Sequence, residues 1–300
     1  MELKIFLEKL NRIKDIPTLP TIVMEINRMI QDDDVSIKHI SQTIEKDQAI
    51  TSKILKLVNS AFFGLRSKVK NASEAIVFLG MNSISNIVVS VSLIKALSSR
   101  NIPCGFSIPD FWKHSVAVAL TSKYISESTG MKEPETCFTG GLLHDIGKVI
   151  LLEHFPDLFQ KILLDSKKEG IPFRVSEEKE SPVGHDWLGG YLAEKWKLPQ
   201  ELIDIIKFHH TVSEEAKNQE MVMIVHSADI VVNYAPSDKI VTDEKDIDSI
   251  ISRISKNVSE KIIIKIKQLP NWYPDLFESI EEACRFFINQ NNDPGNKNGK

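Results

Sequence analysis

The sequence predicts an all-α fold, a two-lobed helical bundle, and three observations carry the prediction. Apolar residues recur at intervals of three and four rather than alternating, which is the period of helices and not of strands. Segment after segment opens on a residue suited to start a helix. One stretch, residues 99–108 (SSRNIPCGFS), sets Pro103 and Gly105 between two strongly periodic halves and reads as a linker. At 300 residues the chain lies where single cores stop growing, so lobes over 1–107 and 108–290 are expected. The tail over 291–300 (NNDPGNKNGK) is polar and rich in Gly and Asn, a composition expected to be disordered.

The elements follow in order. Pro20 opens Thr21–Ile30, and Val35–Glu45 follows an acidic run. Asp47 is placed to cap Gln48–Phe62, and Asn71 with Glu74 forms a capping-box pattern before Ala75–Leu79, which Gly80 ends. Ser83–Leu97 is apolar enough to be a buried central helix. In the second half Pro109 suits the first position of a long helix through about Ser128. Further helices are predicted over Pro134–His154, Pro156–Glu169, Val183–Trp196, Gln200–His209 and Met221–Asn233. Lys261–Leu269 alternates Ile with Lys like a strand, but its neighbours Asp246–Ile254 and Asp275–Phe287 are helical, so it too is assigned to helix.

Composition excludes several classes of function. An apolar share of 42% and a charged share of 26% belong to an ordinary globular protein. The net charge of -4 is uneven, because residues 1–107 carry 14 Lys and Arg against 10 Asp and Glu. Even so, Arg66, Lys68 and Lys70 make only a small cluster, read as a solvated turn, and the footprint of a nucleic-acid partner is missing. Cys104, Cys137 and Cys284 are odd in number and form no CxxC pair, which fits a reducing cytoplasm and no disulfide framework. The N-terminal segment lacks the apolar core of a signal peptide, and no run of about 18 apolar residues occurs. A cytoplasmic location away from the membrane is expected.

The chemistry concentrates in Gly140-Gly141-Leu142-Leu143-His144-Asp145-Ile146-Gly147-Lys148, where two metal-ligand side chains stand adjacent in an otherwise apolar segment. Adjacent helical residues point about 100° apart, so both serve one centre only if the carboxylate of Asp145 reaches across, as a carboxylate bridging two metals does. Lys148 lies one turn after His144, where an ammonium could neutralise phosphate charge. Other donors recur along the second half: His114 one turn after Asp110, His185 near a helix start, His209 and His210 in tandem at a helix end, and Asp229 inside an apolar helix. Several helices each offering one or two ligands is what a metal site in a helical bundle requires.

Taken singly, each is more often a core or surface residue; the ordered set is what has meaning. The GGLLHDIGK segment resembles the HD signature. Asp110, His114, His144, Asp145, His185, His209, His210 and Asp229 are similar, in order, to the metal-ligand pattern of the HD-GYP branch of the HD phosphohydrolases, and Lys148 to its motif lysine. The first half resembles the HDOD pattern, in Leu19-Pro20, Asp47 before a helix, the run Leu57-Val58-Asn59-Ser60-Ala61-Phe62, Ala75-Ile76 and Leu79-Gly80. The chain departs from HD-GYP after His210, reading Thr211-Val212-Ser213-Glu214-Glu215 in place of an acidic residue and a Gly-Tyr-Pro loop. It also has Asp110 where those enzymes often have glutamate.

The HDOD resemblance implies a regulatory module of bacterial-type signal transduction, acting through a separate, unidentified signalling protein. The HD resemblance implies the alternative, a metal-dependent phosphohydrolase acting on a nucleotide or other phosphorylated small molecule, with Asp145 and Lys148 as catalytic residues. It also implies one or two divalent ions, with iron or manganese suited to a His/carboxylate set and zinc compatible. The missing substrate loop places the regulatory role first. His39, His154 and His226 have no place in the pattern, although His226, one turn before Asp229, is positioned to support a ligand. Asn59 and Ser60 are expected to satisfy backbone groups at a helix end.

Overall fold

The structure, a computed structural model, describes residues 2–13, 21–30, 34–59, 67–98, 106–131, 133–235 and 244–288. Among these it is helical throughout, with no strand. Leu19, Pro20, Ser60, Ala61, Phe62, Arg66, Pro103, Cys104, Gly105 and the tail lie outside the described residues.

The first half forms α1 (Leu3–Arg12), α2 (Thr21–Ile30), α3 (Ile37–Glu45), α4 (Gln48–Val58), α5 (Ala72–Leu79) and α6 (Met81–Ser98). The expected caps are present. Asp47 Oδ1 accepts from the amides of Ala49 and Ile50, both at 3.0 Å, and Asn71 Oδ1 accepts from Glu74 N at 2.8 Å. Asn59 has a structural role, its amide pairing in both directions with the backbone of Val69 at 2.7 Å. α6 packs against α2, α4 and α5, and Ile84, Ile87, Val88 and Val91 bury its apolar face.

The second half winds around α7 (Ile108–Thr129), capped by Ser107 at one end and by left-handed Gly130 at the other. It continues through α8 (Pro134–Leu143), α9 (Gly147–His154), α10 (Pro156–Glu169), α11 (Phe173–Glu180), α12 (His185–Lys195) and α13 (Gln200–Phe208). The chain then runs through α14 (Gln219–Tyr234), α15 (Glu244–Ile251), α16 (Glu260–Lys267) and α17 (Leu269–Ile288). α7 packs on α8, α14, α16 and α17, and α12 packs on α9 and α13. The lobes share one core: α6 lies on α8, and Phe6 of α1 stacks on Phe155 at 4.3 Å.

Two differences from the sequence reading shape the site. The helix expected over Pro134–His154 is interrupted at His144–Ile146, so α8 and α9 are separate. Tertiary packing enforces this: a Cβ on Gly147 would come within 1.8 Å of the His185 carbonyl, and one on Gly141 within 2.8 Å of Ala119 Cα. Helix α11 was not expected from its charged sequence FRVSEEKE, yet Ser176 and Glu177 are fully buried. Lys261–Leu269 is helical as expected, forming α16. No helix among the described residues is long and apolar enough to cross a membrane.

Candidate metal centre

The interruption between α8 and α9 is what lets neighbours in sequence serve one centre. His144 and Asp145 sit in the connecting turn, both buried, and both turn inward. Around them stand His114 from the middle of α7, His185 at the first position of α12, His209 and His210 just past the end of α13, and Asp229 from within α14. The donor atoms form three overlapping groups, each within 4.8 Å: His114, His144 and Asp229; His144, Asp145 and His209; and His185, His209 and His210.

Asp145 spans the two ends of this set. Its Oδ2 lies 3.7 Å from His114 Nε2 and 3.5 Å from His144 Nε2, while its Oδ1 lies 3.0 Å from His185 Nε2 and 4.0 Å from His209 Nε2. Asp229 Oδ1 closes the first end, 3.1 Å from His114 Nε2 and 3.7 Å from His144 Nε2. His210 Nε2 closes the second, 3.0 Å from His185 Nε2.

Each central imidazole is oriented from behind. The Nδ1–H of His144 donates to the Gly141 carbonyl at 2.6 Å, that of His209 to the Ile206 carbonyl at 2.8 Å, and that of His185 to Glu177 Oε2 at 2.8 Å. For His144 and His209 those bonds fix the tautomer and aim the Nε2 lone pair at the centre, and for His185 the bond to Glu177 fixes the ring with its Nε2 on Asp145. His144 Nε2 and His209 Nε2 are buried without a hydrogen-bond partner, and Asp145 Oδ1 between them has His185 Nε2 at 3.0 Å. Buried polar atoms are normally satisfied, and two unpartnered imidazole nitrogens facing one carboxylate fit a divalent cation as the missing partner.

Electrostatics agree with that fit. Burial pulls His144, His209 and His210 below the ordinary imidazole range, and neighbouring histidines push the last two further, so they are held neutral, the form that ligates metal. Burial would raise the Asp145 carboxyl, but Lys148, His144 and His185 override it and hold it well below the usual carboxylate range. Burial likewise opposes ionisation of Asp229, and the hydrogen bond from His114 with the nearby His144 keeps it low. His185 is the exception: burial lowers it, but Glu177 more than compensates and raises it to about 9.

Of the residues expected at the site, the structure brings together His114, His144, Asp145, His185, His209, His210, Asp229 and Lys148. Asp110 is not brought in. It is exposed in the first turn of α7, where its amide donates to Ser107 Oγ at 3.2 Å, and it belongs to none of the three donor groups. Lys148 turns to Asp145 Oδ2 at 2.5 Å instead of following His144, because α9 starts afresh after the turn. His226 supports the backbone of a ligand and not Asp229: its Nδ1–H donates to the His209 carbonyl at 2.6 Å, and its Nε2 accepts from Ser255 N at 3.0 Å.

Two supporting carboxylates were missed. Glu177 uses both oxygens on His185, the second accepting its backbone amide at 2.8 Å. Asp204 accepts from Lys217 N, Asn218 N and Asn218 Nδ2 at 2.9–3.0 Å, pinning the loop that follows His210. Glu177 lies in a charged stretch that a sequence pattern assigns to solvent, and Asp204 is a carboxylate flanked by apolar residues inside α13. The centre opens into a cleft of about 790 Å³, lined at this end by His114, Asp145, Lys148, His185, His210 and Asp229. Phe106, Phe111 and Phe173 form an apolar wall of the same cleft.

Helical bundle and convergent His/Asp centre together define a two-lobed, all-α protein whose second lobe carries a buried cluster of metal-ligand side chains. The chain belongs to the HDOD domain family, whose model matches residues 16–212. An uncharacterized protein of Treponema pallidum is 32% identical over 206 residues, which are 67% of this chain and 39% of that protein; the chain therefore spans well under half of that relative. The fold is shared with an HDOD domain protein of unknown function from Geobacter sulfurreducens, at a TM-score of 0.72 and 23% identity, covering 93% of this chain and 97% of that one. A candidate phosphohydrolase from Shewanella amazonensis has the same fold at a TM-score of 0.71 and 20% identity, with the same coverage.

Proposed function

We propose that the chain is a metal-dependent hydrolase of phosphoesters. The observation that carries this reading is the common aim of His144, His185 and His209, each held by an Nδ1–H bond with its Nε2 turned to Asp145. Two ions would suit the arrangement: His114, His144, Asp229 and Asp145 would hold one, and His185, His209, His210 and Asp145 the other. Iron or manganese matches these mixed imidazole and carboxylate ligands, and zinc is compatible. Divalent metal there would supply Lewis acidity toward a phosphoryl oxygen and toward water.

The protein's own groups do the rest. Asp145 stays ionised and joins the two ligand sets. Lys148, on the cleft wall beside Asp145 and 5.2 Å from the centre of the Phe173 ring, places positive charge where equatorial phosphoryl oxygens would gather it. Glu177 keeps His185 in register, and the Phe106, Phe111 and Phe173 wall limits water around the reacting group. On these grounds we place the hydrolase ahead of the regulatory role that the sequence placed first.

The regulatory reading keeps one observation in its favour. Among the described residues the first lobe supplies no donor to the centre, yet α6 packs on α8, which leads directly into His144 and Asp145. In that reading the first lobe docks a signalling protein and the pocket senses a phosphorylated ligand. The deciding experiment is metal analysis after anaerobic purification, with hydrolysis of bis(4-nitrophenyl) phosphate and cyclic nucleotides by the wild type and by Asp145→Ala. Bound metal with turnover that the variant loses supports the hydrolase. Bound metal with no variant-sensitive turnover overturns it in favour of the regulatory role, and no metal after reconstitution overturns both.

A further inference from the structure

Two arginines line the cleft, and they differ in what surrounds them. Arg174 on α11 is neutralised: its guanidinium lies within 3.0–3.4 Å of Glu177, Glu178 and Asp186. Arg253, just past α15, is exposed and stacks on Tyr234 with its guanidinium carbon 4.0 Å from the ring centroid. Among the described residues no carboxylate pairs with it.

The segment carrying Arg253 is tied to the metal centre two residues further on, through Ser255 and His226. Arg253 N donates to the Ile250 carbonyl at 3.1 Å, Ser255 N donates to His226 Nε2, and His226 Nδ1–H donates to the carbonyl of His209. Tyr234 is fixed from the other side. It ends α14 five residues beyond Asp229, about 7–8 Å along the helix axis, and its neighbour Asn233 donates to Asp229 Oδ1 at 2.7 Å. A guanidinium held flat on a ring keeps its N–H edges free for an anion and loses little freedom on binding one. This one lines the same cleft as Lys148 and the metal centre.

We infer that Arg253, stacked on Tyr234, docks a second anionic group of the ligand, so that the cleft takes phosphoesters bearing a second phosphate at some distance from the first. This rests on the hydrolase reading for which phosphate reacts, but not for whether the second one binds. Arg253 and the metal centre line the same cleft of about 790 Å³, a volume in the range that encloses a small-molecule ligand. Asp229, His226 and Arg253 all lie beyond the residues matched by the family model, so this end of the cleft can differ among relatives.

The test uses manganese-loaded full chain and probes that cannot be hydrolysed: butane- and hexane-diyl bisphosphonates against butylphosphonate, by titration calorimetry. Wild type is expected to bind the better bisphosphonate about 10–100-fold more tightly than butylphosphonate, the value of a charge-assisted hydrogen-bonded pair. Arg253→Ala should abolish that preference while leaving butylphosphonate binding unchanged, and Arg253→Lys should retain part of it. Tyr234→Ala should lose most of it by freeing the guanidinium. An Arg253→Ala variant that weakens both ligands equally, or neither, overturns the inference, as does a wild type with no bisphosphonate preference. Failure of the hydrolase reading shows separately, as turnover insensitive to Asp145→Ala.

Discussion

The two lobes bury different chemistry. Among the described residues the first lobe buries only small hydroxyls besides its apolar core: Ser41, Thr43, Ser85 and Ser92. The second buries His144, Asp145, Glu177, His185, Asp186, Asp204, His209, His226 and Asp229. Ionisable groups inside a protein are costly unless paired or bound to metal. The first lobe can be explained by packing alone, while the second keeps a centre that packing would remove. That contrast locates the chemistry.

The contrast breaks most severely at Asp145. Asp145→Ala removes the carboxylate that, alone among the described residues, reaches both ligand sets; if the proposed hydrolase holds two ions, metal content should fall to one or none, with turnover reduced at least about a thousandfold. Elemental analysis and phosphodiester assays check this. Retention of both ions would mean that the two ends do not share this residue.

Glu177→Ala should act less strongly. It leaves every ligand in place but frees His185, and loss of such a supporting carboxylate lowers metal affinity about 10–100-fold, measurable by competition with a chelator. Unchanged affinity would show that the apolar packing around His185 is enough to aim it.

In the first lobe, Ile54→Ala, at a fully buried position, should cost about 2–5 kcal/mol of stability in chemical denaturation. Metal content per folded chain should stay unchanged, whereas a matching loss of metal would show that the first lobe shapes the centre.

The smallest effect is on pH. In metal-free protein, His144, His209 and His210 are held below the unfolded imidazole value of about 6.5. The unfolded chain therefore takes up protons that the folded one refuses, and stability should fall as pH drops below about 6.5. His185, raised to about 9, acts in the opposite sense: its contribution is complete below about 6.5 and is lost as pH rises toward 9. With these three and His226, which burial also lowers, against one, the melting temperature in chelator should fall from pH 7.5 to pH 5.5, and a rise would mean that His185 dominates.

Much of the fold was legible. Capping at Asp47 and Asn71, Gly80 after α5 and Pro at the start of α8 and α10 are local signals, and each terminates or starts its helix as the sequence indicates. Even α16, with a strand-like alternation, was settled by its neighbours. The break at His144–Ile146 was not legible, because no proline or turn sequence marks it, and the close approach of Gly147 to the His185 carbonyl enforces it. α11 was missed for a related reason: its acidic residues look solvated until Glu177 is seen against His185.

The sequence by itself determined the helical class, the family resemblance and the donors His114, His144, Asp145, His185, His209, His210 and Asp229, because helix periodicity and residue type are local properties. Only the tertiary structure decided that Asp145 lies between two sets of imidazoles, that Asp110 stays in solvent, and that Glu177 and Asp204 are buried supports. It alone placed Arg253 on Tyr234 in the same cleft. Those are distances between residues far apart in the chain, and no pattern along one dimension encodes which side chains packing will bring within bonding reach.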